Sequence, residues 1–346
     1  MEKLAFEKKI LGNIEKCYAV LGTEIGGKPF LFYGGEGTGS LRAFSGEGFS
    51  HCDMVWEGGG GTMSIVPLAD GCILASRGFT SMVDSAGSTV EFIRYTGEGF
   101  EHFTLCTLDY LHRFDSLLAP DGTRYIFAAT LHSGKTDKED WSKPGHVFVG
   151  EMAPVSELPA PVELKQLPGD FFMNHGFCKA EWEGRDAAFT TSREGAFVWL
   201  PPEKKGEEWT SRKLLDFPVS DIAVSDIDGD GEKELACLLP FHGNEFHIYR
   251  LTGGKYQDVY TYPMENDFYH AVISAVIRGE KVFAGGARKL TADLFLVRWD
   301  PEKKCFTEQQ LDAGPGPSNL AMLNLEDCDL LLSANRMIFE AAVYRF

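Results

Sequence analysis

The chain lacks the marks of several large protein classes. None of its 346 residues lie in an apolar run approaching the roughly 20 residues a helix needs to cross a bilayer. The opening stretch MEKLAFEKKILGN has no apolar core of the kind a secretory signal requires. Positive charge is scarce: 33 Lys and Arg face 51 Asp and Glu, a net charge of −18. That balance excludes a general binder of nucleic acid or of an anionic membrane, which needs a basic face. Eight cysteines (17, 52, 72, 106, 178, 237, 305, 328) are scattered without a CxxC pair. Cys72 in GCILAS and Cys237 in ELACLL fall inside apolar strand-like runs, so reduced, buried thiols in a cytoplasmic protein are expected rather than a disulfide framework.

Familiar catalytic signatures are missing too. GGEGTGS lacks the lysine and the following helix of a phosphate loop and reads as a glycine-rich turn. No GxSxG elbow precedes a helix, and no WD or kelch signature recurs.

What the chain has is glycine, aromatics and a hidden repeat. With 38 Gly and 26 Phe and no long helical periodicity, it reads as many short strands joined by tight turns. Seven segments share one plan, seen in KCYAVLGTEIGGKPFLFYGG, DIAVSDIDGDGEKELACLLP and HAVISAVIRGEKVFAGG. Each has a small or apolar strand, a turn, and a second apolar strand. Third strands such as LRAF, FHIYRL and AAVYRF follow, then a more polar fourth in all but the last unit. The missing strand is matched at the other end of the chain by LAFEKKIL, residues 4–11. The expected fold is therefore all-β, a single seven-bladed β-propeller over residues 1–346, with four-stranded blades and the last blade closed by the N-terminal strand. Blades begin near 16, 63, 112, 175, 221, 270 and 319. The third unit carries extra residues, LHSGKTDKEDWSKPGH, whose segment 133–144 reads either as a lid or as a solvated loop.

Blade geometry assigns motifs to faces. The turn between first and second strands lies at the bottom, and there blade five carries DIDGDGEKEL. This loop resembles the calcium loops of FG-GAP and VCBS-type propeller repeats. The resemblance implies side-chain oxygens from Asp226, Asp228 and Asp230, the carbonyl of Glu232 and the carboxylate of Glu234 around a structural Ca²⁺. An acidic turn without metal is the alternative.

At the top, two rings of polar residues emerge. Starts of the inner strands give Lys16, Met63, His112, His175, Asp221, His270 and Asn319. Neutral imidazoles converging on the axis point to a divalent transition metal on His112, His175 and His270, or to a hydrogen-bonding role for the same residues. Ends of the second strands give Glu36, Arg77, His132, Arg193, His242, Arg288 and Arg336. Four arginines suit a small polar or anionic ligand, because the guanidinium fork matches carboxylate or phosphate. They could equally pair with acids such as Glu194 and Asp221.

Two functions fit. The first is a metal-assisted lyase, dehydratase or isomerase on a sugar or sugar acid. In it His132 or His242 moves the proton, while Glu36, Arg77, Arg193, Arg288, Arg336, Asp221 and Asn319 hold the substrate. The blade plan, acidic loop and channel histidines are similar to the propeller domain of aldos-2-ulose dehydratase/isomerase enzymes, which implies a dehydratase or isomerase reaction but no particular substrate. The second is a non-catalytic propeller that binds a ligand or a protein.

Overall fold

The computed structural model describes residues 1–346 as seven four-stranded antiparallel sheets arranged as blades in a ring. Strand β1, Glu7–Asn13, opens the chain but belongs to the last blade. Blade one comprises β2 (Cys17–Ile25), β3 (Lys28–Gly35), β4 (Leu41–Ser45) and β5 (His51–Trp56). Blade two comprises β6 (Ile65–Pro67), β7 (Ile73–Arg77), β8 (Thr89–Tyr95) and β9 (Phe100–Thr107). Blade three has β10 (Leu111–Leu118), β11 (Arg124–Thr130), β12 (Val147–Glu151) and the short β13 (Lys165–Gln166). Blade four has β14 (Gly176–Trp182), β15 (Arg185–Ser192), β16 (Gly195–Leu200) and β17 (Thr210–Leu215). Blade five runs through β18 (Asp221–Ser225), β19 (Glu234–Leu239), β20 (Glu245–Thr252) and β21 (Lys255–Thr261). Blade six runs through β22 (Asn266–Ile277), β23 (Glu280–Leu290), β24 (Leu294–Asp300) and β25 (Cys305–Asp312). Blade seven is β26 (Pro317–Asn324), β27 (Asp329–Asn335), β28 (Glu340–Arg345) and β1.

Local sequence explains the meander. Gly26–Gly27 and Gly253–Gly254 sit in two-residue hairpin turns with positive φ at both positions, the geometry that matches the strands' own twist. Each blade packs on both faces, so its second strand is buried along its centre. Leu31, Phe32 and Tyr33 of β3 are all fully buried. Seven hydrophobic clusters hold the ring, and each joins two neighbouring blades: one pairs Phe246 and Ile248 of blade five with Phe283 and Phe295 of blade six. At roughly 25 cal/mol per Å² of apolar area removed from water, these interblade cores are the main favourable contribution to the fold.

The N-terminal strand closes the ring by antiparallel pairing with β28, from Glu7 opposite Arg345 to Asn13 opposite Glu340. It begins and ends later than the 4–11 expected from the pattern. Leu4 is instead held by blade six, where Gln309 bonds its N–H and its carbonyl, each at 2.8 Å. All eight cysteines are free, as expected, although Cys52 and Cys305 are exposed rather than buried. No helix is long and apolar enough to cross a membrane.

Candidate functional site

The inner strands deliver their side chains to the axis through β-bulges. In β2, β10 and β22 the pairing register slips around a single residue, between Cys17 and Ala19, Leu111 and Arg113, and Tyr269 and Ala271. The skipped residues are Tyr18, His112 and His270. A bulged residue leaves the ladder and is re-aimed, so three ring systems turn into the channel together. His175, just before β14, joins them.

Three of the histidines are fixed by the next blade. The Nδ1 of His112 lies 3.3 Å from the His175 carbonyl, that of His175 3.1 Å from the Ser220 carbonyl, and that of His270 2.7 Å from the Ser318 carbonyl. A carbonyl only accepts, so each Nδ1 carries the proton and each Nε2 presents a lone pair. Metal-ligating histidines are characteristically oriented this way by their outer partners. The Nε2 of His242 stands 3.2 Å from that of His175, and the Tyr18 hydroxyl lies 3.3 Å from the His112 Nε2 and 3.4 Å from the His270 Nε2. Burial, reinforced by neighbouring cations and imidazoles, holds His112, His175 and His270 well below the usual histidine range. Burial pushes His242 down to about 3, with Arg288 adding to the effect. Neutral imidazoles are the form that binds metal. Burial also raises the Tyr18 phenol to about 12, so it keeps its proton.

The grouping differs from the expected triad. Ligand nitrogens of His175, His242 and His270 all lie within 4.8 Å of one another, so His242 takes the place expected of His112. His112 faces Tyr18 instead. Zn–N distances near 2.0–2.1 Å require donors somewhat closer than this. His132 is not at hand for proton transfer: its Nε2 donates to the Met82 carbonyl at 2.7 Å, and its Nδ1 accepts the Gly134 N–H at 3.0 Å. It is fully buried and anchors a loop.

Above the histidines opens a cavity of about 630 Å³. Tyr18, Phe79, Trp141, Phe241 and Phe268 give it aromatic walls, and Lys16, Glu36, Arg288 and Arg336 supply charge. Phe241 and Phe268 stack on the two sides of His242, at 4.0 and 4.3 Å between centroids. Four lining residues, Lys16, Met173, His242 and Phe268, have left-handed backbone conformations that cost non-glycine residues about 1–2 kcal/mol each. Such strain is characteristic of functional sites. The 133–144 segment reaches this cavity through Lys138, Glu139 and Trp141. Trp141 packs edge-on against Phe241 at 5.0 Å, and the Lys135 ammonium sits over its ring.

Of the four expected arginines, two line the cavity. Arg336 is paired with Glu36 through Nε at 2.7 Å, a contact joining blade seven to blade one. Arg288 has no such partner. Arg77 lies outside, over the Trp56 ring and bonded to the Gly58 carbonyl at 3.0 Å, and Arg193 lies outside over Phe172. Arg77 folds onto an aromatic residue of the preceding blade, Arg193 onto one in the linker before its own blade, and neither lines the cavity.

Asp221 and Asn319 sit one layer deeper. The Asn319 Oδ1 accepts from Arg113 at 2.9 Å, while its Nδ2 donates to the Tyr18 carbonyl at 2.7 Å. Asp221 Oδ1 accepts backbone N–H groups of Phe177 and Ile222. Burial raises Asp221 to about 6 against the opposing pull of Arg113, 3.9 Å away. Beneath them a second cavity of about 300 Å³ runs down the channel. Met63 lines both cavities, and the Tyr18–His112–Arg113 layer divides them.

At the bottom of blade five, carboxylate oxygens of Asp226, Asp228 and Glu234 lie within 4.8 Å of one another. Asp230 is not part of that group. Asp230 Oδ1 accepts the Glu232 N–H at 2.9 Å and so caps the turn. Arg250 bridges Asp228 and Glu234, its Nε 3.0 Å from Glu234 Oε1, and Lys281 holds Asp226 at 3.1 Å. A cation here would compete with Arg250 and Lys281 for these carboxylates.

Tyr18 and the aromatic walls escaped the sequence reading. A signal for Tyr18 exists: CYAVLG aligns with YHAVIS, which sets Tyr18 rather than Lys16 opposite His270. No protein-family model matches the chain, and no curated protein matches it in sequence.

Proposed function

We propose that the upper cavity is a transition-metal centre acting on a polar or anionic small molecule, in the lyase, dehydratase or isomerase class. The observation that carries this reading is the convergence of three neutral histidine nitrogens, His175, His242 and His270, within 4.8 Å of one another at the floor of a cavity. A divalent metal bound there supplies Lewis-acid polarisation of a carbonyl or hydroxyl oxygen. The chain's own residues do the rest. Tyr18 and His112, 3.3 Å apart, form a donor–acceptor pair that can hand over and take back a proton at the cavity floor. Arg288 offers a cation for the anionic group. Trp141, Phe241 and Phe268 exclude water and present flat apolar faces of the kind a sugar ring stacks on. Sugars and sugar acids are therefore the favoured substrate class.

A second reading, a non-catalytic binding propeller, is favoured by a specific feature. His175 and His242 already contact each other, and Tyr18 already bridges His112 and His270, so the imidazoles are satisfied as a network. At the lower loop, a salt-bridged turn is favoured over calcium, because Arg250 bonds Asp228 and Glu234 and Lys281 bonds one oxygen of Asp226.

Activity on polyhydroxy acids and sugars separates the two. Protein loaded with Mn²⁺, Fe²⁺, Co²⁺ or Zn²⁺ is expected to generate carbonyl products detectable by hydrazine trapping. EDTA treatment and Tyr18→Phe are each expected to reduce that rate by about a hundredfold or more. A rate indifferent to both treatments, or no turnover with any metal, sinks the enzymatic reading.

A further inference from the structure

Arg288 is the arginine of the upper cavity left without an acidic partner. Arg336 is neutralised by Glu36. The Nε of Arg288 is buried without a hydrogen-bond partner, and its guanidinium lies 4.6 Å over the Phe268 ring. Phe268 stacks in turn on His242 at 4.3 Å and lies parallel to the His270 ring at 6.0 Å. An ordered stack thus runs from the guanidinium to the histidine cluster.

The strand register fixes this stack. Asp267 pairs with Lys289 and Tyr269 with Ala287, so Arg288 stands across from Phe268, beside the bulge that re-aims His270. Burial lowers Arg288 to about 10, with the neighbouring Arg336 contributing, yet it stays cationic at neutral pH. A largely desolvated cation without a counter-charge is unfavourable unless a ligand anion meets it. The blade-equivalent Arg77 and Arg193 are turned away, so this anion site belongs to blade six alone.

The chemistry of the anion follows from the charge. One unpaired guanidinium fork matches one carboxylate, bound through two parallel hydrogen bonds. A phosphate ester carries about −1.5 to −2 at neutral pH and calls for more than one buried cation. The other free cations of the cavity, Lys16 and Lys138, are solvent-exposed at its rim.

We infer that Arg288 is the carboxylate receptor of the upper cavity, and that its ligand is an oxygen-rich carboxylic acid of the sugar-acid type, with the carboxylate on Arg288 and the hydroxyl or oxo oxygens turned toward His175, His242 and His270. The assignment of the second half rests on the function proposed above; the Arg288 half does not. Arg288 is then the residue that sets specificity for acids over neutral sugars.

Titration calorimetry with D-gluconate, D-glucose and glucose 6-phosphate tests this on metal-loaded and EDTA-treated protein. The wild type is expected to bind gluconate in both states, more tightly with metal. Arg288→Met is expected to weaken gluconate binding by about tenfold or more, Arg288→Lys by less, and Arg77→Met not at all. Glucose binding should not depend on Arg288. Equal gluconate affinity in Arg288→Met and wild type overturns the inference, as does an absence of gluconate binding by the metal-loaded wild type. Tighter binding of glucose 6-phosphate than of gluconate overturns the choice of carboxylate. If the protein takes up no metal but gluconate binding still depends on Arg288, the metal centre fails and the carboxylate receptor stands.

Discussion

Tyr18, His112 and His270 occupy one structural position in three blades, and a bulge in each inner strand turns them to the axis. The histidines were legible because three of the chain's nine fall at one point of the repeat. The bulges were not, since an extra residue in a strand leaves no periodic mark. Lys16 was expected where Tyr18 stands because the repeat pattern starts the first blade two residues early, and the histidine cluster includes His242, which stands on a second-strand loop, rather than His112. Buried carboxylates of the channel give a test at this scale. Asp115 lines the lower cavity, and burial raises its carboxyl to about 6 even though Lys179 opposes the shift. Its folded pKa lies above the unfolded value of about 3.9, so the folded state holds the proton more tightly. This contribution is fully present below about pH 3.9 and is lost as pH rises through about 6. Asp115→Asn removes that dependence. Urea melts should show the stability of the variant, relative to wild type, improving by about 1–2 kcal/mol between about pH 4.5 and 7.5. A difference that does not change with pH contradicts the assignment.

At the scale of elements, the acidic turn between β18 and β19 was the most conspicuous motif, and it lies on the face opposite the histidines. Sequence spacing suggested a metal loop because alternating carboxylates are visible in one dimension. Arg250, on β20, arrives from outside the motif and bridges Asp228 and Glu234. Glu234 is fully buried, so removing its partner leaves an uncompensated charge in the interior. Arg250→Met is expected to cost about 3 kcal/mol in chemical denaturation. Calcium should not restore that stability; a full rescue by calcium would show that the loop is a cation site after all. The segment 133–144 had two readings, and its Trp141, packed against Phe241 above the histidines, places it on the cavity wall. Nothing in its polar composition announced that contact, because it depends on where blade five brings Phe241.

For the whole molecule, the ring was the most legible feature. Seven repeats, a last blade one strand short and a matching strand at the other end are all present in the sequence, and β1 pairs with β28 accordingly. Repetition also explains what was overestimated. Equivalent positions in seven blades look alike in sequence, yet only Arg288 and Arg336 among four second-strand arginines reach the cavity. The others lie over Trp56, at the end of the preceding blade's last strand, and over Phe172, in the linker before blade four. A ring of blades thus concentrates histidines, aromatic walls and one unpaired arginine at a single mouth, while the opposite face carries a salt-bridged turn.

The proposed function depends on transition-metal binding by His175, His242 and His270. Elemental analysis after equilibration with Mn²⁺, Fe²⁺, Co²⁺, Ni²⁺ and Zn²⁺ and removal of free ion tests it most directly. About one ion per chain is predicted for the wild type, with loss in His175→Ala and His270→Ala variants that keep their β-sheet circular dichroism, and retention in Asp228→Asn. No bound transition metal in the wild type, or equal metal content in the folded histidine variants, would contradict the claim.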